Sequence, residues 1–335
     1  MNIIIPMAGW GTRLRPHSLT IPKPMLPIAG KPIVQRLAED LMKTVTEKVE
    51  NIAFIIRRDF GKKIEEHLIQ VGKELNTPVH IFYQDEPLGT AHATLCAGDL
   101  LSGKIIVAFA DTLFRFNKQL DTNQDGIIWV QKVQDPSAFG VVKINAEGAI
   151  TDFVEKPKDF VSDLAIIGIY YFKDGAKLRS EMQYLIDNNI REKGEYQLTN
   201  ALENLKQKGT KFVPGEVSDW LDCGNKNATV DTNHRYLEFI KGENLVSENA
   251  VIENSVIIQP TFIDEGARIV NSVVGPHVSI GKNTVVEDCI VRNSIIQSQS
   301  SVKKQLIHNS MVGNYVNLQG KFTDLSVGDY TGISE

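Results

Sequence analysis

The pattern of apolar and polar positions changes period once along this 335-residue chain, near residue 245. Before that point, strand-like and helix-like stretches alternate. Residues 2–5 (Asn-Ile-Ile-Ile) form an apolar run stopped by Pro6 and read as a buried strand. A loop punctuated by glycine and proline follows. A helix is then predicted over 33–44, a strand over 52–56 and a helix over 59–75. A strand over 79–83, a helix over 90–101 and a strand over 105–109 continue the alternation. Such alternation indicates an α/β domain with a largely parallel sheet. Further strands are predicted at 126–133, 139–144, 165–172 and 217–221, and helices at 174–188 and 197–208.

After residue 245 the repeat is six. Val251, Ile257, Ile263 and Ile269 are evenly spaced; after a five-residue step Val274, Ile280 and Val286 resume, and Ile296 and Val302 follow. Small residues (Ser255, Thr261, Ala267, Thr284) often stand four positions later. Hexads of this kind mark a parallel β-helix, in which six residues make one short strand and a turn. An antiparallel β domain would instead alternate with period two and turn in hairpins. Residues 228–241 read as a joining helix, which gives domains at 1–240 and 245–335.

Composition narrows the class. With 36 basic and 41 acidic residues the net charge is −5, which argues against a general nucleic-acid coat but not against a local basic pocket. Cys96, Cys223 and Cys289 are odd in number and contain no CxxC pair, so neither a disulfide framework nor a zinc knuckle is suggested. A reduced, cytoplasmic compartment is expected. The N-terminus lacks the marks of a secretory signal, and no apolar run approaches the ~18 residues of a membrane span.

The candidate chemistry begins in the loop after the first strand, Ala8-Gly9-Trp10-Gly11-Thr12-Arg13-Leu14-Arg15-Pro16. Its glycines allow main-chain N–H groups to converge on an anion, and Arg13, Arg15 and Lys23 add fixed cations. A dinucleotide fingerprint would need a third glycine and an immediate helix, which Pro16, Pro22 and Pro24 forbid. The P-loop pattern GxxxxGK[ST] is absent. A plain glycine turn is the remaining alternative, but it leaves the guanidinium and ammonium groups unexplained; the glycine loop, Arg13 and Lys23 together suit a nucleoside triphosphate.

Gly11-Thr12-Arg13-Leu14-Arg15-Pro16, Pro22-Lys23-Pro24-Met25-Leu26-Pro27 and Lys31-Pro32 resemble the sugar-phosphate nucleotidylyltransferase family, which includes glucose-1-phosphate thymidylyltransferases. The likeness continues in order through Gln84-Asp85-Glu86-Pro87-Leu88-Gly89-Thr90-Ala91 and Phe109-Ala110-Asp111-Thr112. Phe139-Gly140-Val141-Val142, Glu155-Lys156-Pro157, Gly194-Glu195-Tyr196-Gln197-Leu198-Thr199 and Trp220-Leu221-Asp222-Cys223-Gly224 complete it. It implies a Rossmann-like mixed sheet over about 1–240 and, as in several members, a C-terminal left-handed β-helix. Three positions depart from the family pattern. Ala110 stands where glycine is usual, Asn200 where aspartate is common, and Phe139 where tyrosine is frequent.

The resemblance implies joining of UTP or dTTP to a hexose 1-phosphate, giving a nucleotide sugar and pyrophosphate. It assigns Arg13 to the β/γ-phosphates, Lys23 to the α-phosphate and Lys156 to the sugar phosphate. Ala8, Gly9, Gly11, Thr12, Gln84, Pro87 and Gly89 fall to the nucleotide, and Gln84 can pair with the imide edge of uracil or thymine. Gly140, Glu155 and Glu195 fall to the sugar phosphate, and Asp111 and Asp222 to Mg²⁺. Mannose-1-phosphate guanylyltransferase is the nearest enzymatic alternative, and a regulatory subunit that binds nucleotide sugar is the non-enzymatic one. The short β-helix is expected to be a scaffold in a homo-oligomer and not an acyltransferase. Its only histidines are His277, read as a corner residue, and His308.

Overall fold

The computed structural model describes residues 1–116, 118–324 and Val327. Contacts divide the chain into two compact units, one of residues 1–27 and 31–228, the other of 28–30 and 229 onward. The tail of the expected β-helix domain, beyond residue 324, lies outside the described residues apart from Val327.

The first unit is built on a nine-stranded sheet. Asn2–Pro6 lies at its centre, fully apolar at Ile3, Ile4 and Ile5, each 0% exposed. It pairs in parallel with Asn51–Ile56 on one side and Ile105–Ala108 on the other. Val79–Tyr83 extends the parallel half. Beyond Ile105–Ala108 the direction reverses, because Leu164–Phe172 runs antiparallel to that strand, to Gly126–Lys132 and to Gly140–Ile144. The sheet is thus mixed, and "largely parallel" holds only for its N-terminal half.

Several strands, among them Ile150–Glu155, Phe212–Glu216 and Thr112–Arg115, were not legible in the pattern. Ile150–Glu155 pairs antiparallel with Gly140–Ile144 through a register shift that disrupts its alternation. Phe212–Glu216 carries Pro214 and Gly215, which look like a turn, yet it pairs only with Gly126–Lys132. Such an edge position tolerates a missing donor. Thr112–Arg115 and Asp219–Asp222 form a separate antiparallel pair. The helix expected over 90–101 stops at Leu95, and a 3-10 turn, Gly98–Leu100, follows at Gly98 with φ 57°. The helices Ile33–Thr44, Lys62–Glu74, Gly175–Asp187 and Leu198–Gln207 agree with expectation to within about three residues.

In the second unit, strands stack in three parallel ladders of five, four and four. Ladder partners Ile252, Ile269, Val286, Val302 and Leu318 are 17, 17, 16 and 16 residues apart, so each coil holds three strands. This arrangement is the parallel β-helix that the hexads mark, and it is consistent with the left-handed form that the resemblance implies. Ile263, Ile269, Val274, Ile280, Val286, Val291, Ile296 and Val302 all point into the stack at 0% exposure. Val251 does not. It pairs with Arg268, outside the stack, and Ile252 takes the ladder position of Ile269. The six-residue step from 251 to 257 was coincidence, and the true step is five.

Corners recur in left-handed backbone at Asn254, Asn271, Asp288 and Lys304, and again at His277, Asn293 and Asn309. The helix Lys226–Phe239 precedes the stack, and most of it groups with this unit. Buried Asn233 on that helix accepts hydrogen bonds from the Ala29 N–H at 2.9 Å and from Ser279 Oγ at 2.7 Å. Gly30 (φ 86°) belongs here too, because a Cβ there would lie 2.1 Å from Cζ of Phe262.

Candidate active site

Open α/β sheets bind ligands outside the carboxyl ends of their strands. In the first unit the segments following Asn2–Pro6, Val79–Tyr83 and Ile105–Ala108 all line one cavity of about 520 Å³. The opposite wall comes from Leu164–Phe172, whose pairing shifts between Ile166 and Tyr170. Gly168 at that bulge has φ 85°, and its carbonyl accepts the N–H of Phe109 at 3.0 Å. The bulge turns Ile166, Ile167, Gly168 and Tyr170 to the cavity.

The glycine loop rests on Lys23. Gly11 has φ 72°, and a Cβ there would stand 2.4 Å from Lys23 Cβ, so glycine is needed for both conformation and space. The Lys23 side chain is only 7% exposed and its Nζ lies 3.3 Å from Asp111 Oδ2. A buried ammonium on one carboxylate is a fixed positive charge at the cavity wall. Ala8, Gly9 and Arg13 line the same wall.

Asp111 and Asp222 come together through the pair Thr112–Arg115 and Asp219–Asp222. Asp222 is in register with Thr112, and the Cys223 N–H donates to the Asp111 carbonyl at 3.3 Å. Burial pushes the Asp222 carboxyl above its ordinary range; Lys23 pulls it back, and the negative charge of Asp111 raises it again. Its Oδ1 accepts the Gly224 N–H at 2.9 Å. Two carboxylates brought together at the wall of this cavity, one of them raised by burial, suit a hard divalent cation held by oxygens. The donor set therefore fits Mg²⁺.

Across the cavity, Lys156 sits in left-handed backbone (φ 43°), with its N–H bonded to the Phe139 carbonyl at 3.0 Å. Its Nζ is 3.2 Å from Glu155 Oε1, and Glu155 Oε2 accepts Thr199 Oγ1 at 3.2 Å. Gly140 is packed against those two groups; a Cβ there would meet Glu155 Oε2 at 3.1 Å and Thr199 Cγ2 at 3.2 Å. Glu195 Oε2 accepts from Gln197 Nε2 at 3.0 Å. Gln84 is buried, its Nε2 donating to the Gly89 carbonyl at 3.2 Å and lying 3.0 Å from His92 Nδ1. Burial lowers the His92 pKa, which favours the neutral ring, the form able to accept that bond. His92 thereby orients Gln84. Gly89 must be glycine at φ 112°, where a Cβ would sit 2.5 Å from the Tyr196 carbonyl oxygen.

Of the residues selected from sequence, Ala8, Gly9, Gly11, Arg13, Lys23, Gln84, Pro87, Gly89, Asp111, Gly140, Glu155, Lys156, Glu195 and Asp222 all line the cavity. Thr12 does not; it is exposed in the short turn Thr12–Leu14, and its carbonyl accepts the Arg15 N–H at 3.2 Å. Arg57, Thr199, Gln197 and Tyr170 line the cavity without having been singled out for it. Arg57, held by Asp59 at 3.0 Å, follows a plain apolar strand and carries no motif. Gln197 and Thr199 belong to the stretch 194–199, and their place at the start of the helix Leu198–Gln207 makes them read as helix residues.

The nucleotidyl transferase family model matches residues 2–238, and a model described as GlmU-like, C-terminal hexapeptide matches 231–306. A glucose-1-phosphate thymidylyltransferase of Streptomyces griseus is 28% identical, over 94% of this chain and 93% of that protein. A bifunctional protein GlmU of Methanococcus maripaludis is 32% identical, over 78% of this chain and 62% of that longer protein. Among solved structures, a UDP-glucose pyrophosphorylase complexed with UDP-glucose superposes with a TM-score of 0.58 at 25% identity, covering 71% of this chain and 98% of that one. With the glycine loop, the paired carboxylates and the two lysines gathered at one cavity, and a family match spanning residues 2–238, the chain belongs to the nucleotidyl transferase family and carries a GlmU-like hexapeptide C-terminus.

Proposed function

We propose that the chain joins UTP or dTTP to a hexose 1-phosphate, giving a nucleotide sugar and pyrophosphate. The observation that carries this reading is that Arg13, Lys23, Lys156, Asp111 and Asp222 line one cavity. A phosphate oxygen of the sugar phosphate forms the new bond to the α-phosphorus. The bond from that phosphorus to the β-bridging oxygen breaks, and pyrophosphate leaves with the electron pair. The nucleophile is already an anion, so the site needs no strong base. It must bring anions together in line and stabilise the leaving group.

In this reading Arg13 holds the β/γ-phosphates, Lys23 steadies the α-phosphate and Lys156 holds the sugar phosphate. Glu155, braced by Thr199, and Glu195, braced by Gln197, accept sugar hydroxyls. Gln84 reads the base, positioned by His92 and the Gly89 carbonyl. Ala8, Gly9 and Gly11 offer main-chain N–H groups to the phosphates. Asp111 and Asp222 would hold Mg²⁺, which when bound supplies positive charge to the phosphate oxygens.

The names of the relatives support a pyrimidine nucleotide and a glucose-type sugar. A panel of UTP, dTTP, GTP and ATP against several hexose 1-phosphates, read as pyrophosphate release, tests the assignment. Fastest turnover with UTP or dTTP is expected, and a preference for GTP would move the reading to guanylyl transfer.

The C-terminal unit is read as an assembly scaffold. His308 is exposed at the end of the stack and His277 is committed to Glu238, which supports a structural over an acyl-transfer role. Val256, Val273, Ile290 and Leu306 are consecutive partners on the outer side of one ladder, and Val256, Ile290 and Leu306 are 57%, 44% and 79% exposed. An apolar stripe of this kind supports a homo-oligomer built through that face. Among the described residues no helix is long and apolar enough to cross a membrane. The three free thiols, two of them buried, suit a cytoplasmic setting.

A further inference from the structure

The helix Lys226–Phe239 carries His234 and Glu238 four residues apart, hence on one face. Opposite them, within the same compact unit, stands His277 at a corner of the β-helix. The equivalent corners of the next two coils hold Asn293 and Asn309, each in left-handed backbone like His277 (φ 62°). Asparagine suffices for that turn, so the imidazole is surplus to it. The corner is firmly placed. The His277 N–H donates to the Pro260 carbonyl at 2.8 Å, and at Gly275 a Cβ would lie 2.0 Å from the Ile258 carbonyl oxygen.

His277 Nε2 lies 2.6 Å from Glu238 Oε1, and the rings of His234 and His277 are 3.6 Å apart between centroids at an interplanar angle of 25°. One ligand atom from each of the three residues falls within 4.8 Å of the others, and all three residues are half-buried. A His–Glu pair accounts for two of these groups. It gives no reason for a second imidazole stacked on the first. A divalent ion taking a lone pair from each ring accounts for all three.

We propose that His234, Glu238 and His277 form a transition-metal site, suited best to Zn²⁺, with water as the remaining ligand. Two imidazoles and one carboxylate match that ion's preference for nitrogen with oxygen. Bonds of ~2.0–2.1 Å in a tetrahedron set ligand atoms about 3.3 Å apart. The His277–Glu238 contact therefore opens by about 0.7 Å on binding, and the His234 ring turns from face to edge. The ion ties the helix Lys226–Phe239 to the β-helix corner and stabilises the C-terminal unit. Its nitrogen donors set it apart from the all-oxygen pair Asp111 and Asp222.

The test uses the full chain without a histidine tag, stripped by a chelator and dialysed against Zn²⁺. Metal is counted by mass spectrometry, and Co²⁺ is titrated with visible absorption as a report of coordination. One zinc per chain is expected, with Co²⁺ bands of four-coordinate intensity and a raised melting temperature. In His277→Gln and His234→Ala the affinity falls by more than the ~10–100-fold that loss of an outer partner costs, and Asp111→Asn keeps the zinc. Circular dichroism checks that each variant is folded. Glu238→Gln, a change on the more exposed side of the cluster, gives the same reading should a histidine variant misfold. No bound zinc in the parent chain, zinc retained undiminished in these variants, or zinc lost only in Asp111→Asn would overturn the site.

Discussion

Gly11 and Lys23 show how one residue's missing side chain positions another's charge. Gly11→Ala places a methyl 2.4 Å from Lys23 Cβ in a backbone region that costs a non-glycine residue about 1–3 kcal/mol. It is expected to lower the urea midpoint and to cut turnover by at least tenfold. Unchanged turnover would mean that the loop does not hold Lys23 in place. Asp222 behaves in the opposite sense. Its carboxyl is raised, so the unfolded chain ionises first as pH climbs past the ordinary value of 3.8, and the folded state loses stability until pH passes the raised value. Asp222→Asn removes that loss. Without metal the variant is expected to melt higher than the parent at neutral pH and alike below both values, while turnover falls on the order of 10²-fold or more. A variant that melts lower at neutral pH, or turns over at the parent rate, contradicts the placement of this carboxylate. Arg13 and Lys156 divide the substrates. Arg13→Ala should cripple turnover with sugar-phosphate binding nearly intact, whereas Lys156→Ala should mainly raise KM for the sugar phosphate. Titration of each substrate on each variant decides this, and interchanged phenotypes would reverse the roles.

At the scale of elements, what the sequence made legible followed periodicity. The strand Asn2–Pro6 and the helix Ile33–Thr44 are plain because burial of one face or the whole element dictates their residues. The site was legible through glycines and charges that the fold gathers from motifs spread between residues 11 and 224. What stayed hidden has physical causes. The reversal at Leu164–Phe172 depends on long-range pairing that no local pattern encodes. Phe212–Glu216 is an edge strand whose Pro214 and Gly215 mimic a turn. Val251 fell on an apparent hexad because Val251 and Ile252 are both apolar, and only ladder register separates them. Arg57 enters the cavity from the end of a strand with nothing in its neighbours to mark it. The β-helix offers a direct check. Ile280 is 0% exposed between Ile263 and Ile296 in its ladder, so Ile280→Ala leaves a cavity expected to cost about 2–5 kcal/mol. Denaturant unfolding followed by far-ultraviolet circular dichroism measures it. A loss under about 0.5 kcal/mol, typical of surface sites, would contradict the inward register.

For the whole molecule, the C-terminal unit is expected to set assembly and the N-terminal unit to set chemistry. Leu306→Lys, in the exposed apolar stripe with Ile290 and Val256, should shift the chain to a smaller species in light scattering. Truncation after Lys241 should change oligomeric state or solubility while leaving every cavity residue in the chain. If the full chain consumed acetyl-CoA with a hexosamine 1-phosphate and lost that activity in His308→Ala, the scaffold reading would fall. The central claim is tested most directly by the product. The full chain is incubated with UTP or dTTP, glucose 1-phosphate and Mg²⁺, and the nucleotide sugar and pyrophosphate are quantified together by mass spectrometry and a coupled assay. The account predicts one nucleotide sugar per pyrophosphate, abolished by chelating the metal and reduced on the order of 10²-fold or more in Asp222→Asn. Triphosphate hydrolysis without nucleotide sugar, or no turnover with any hexose 1-phosphate, would contradict it.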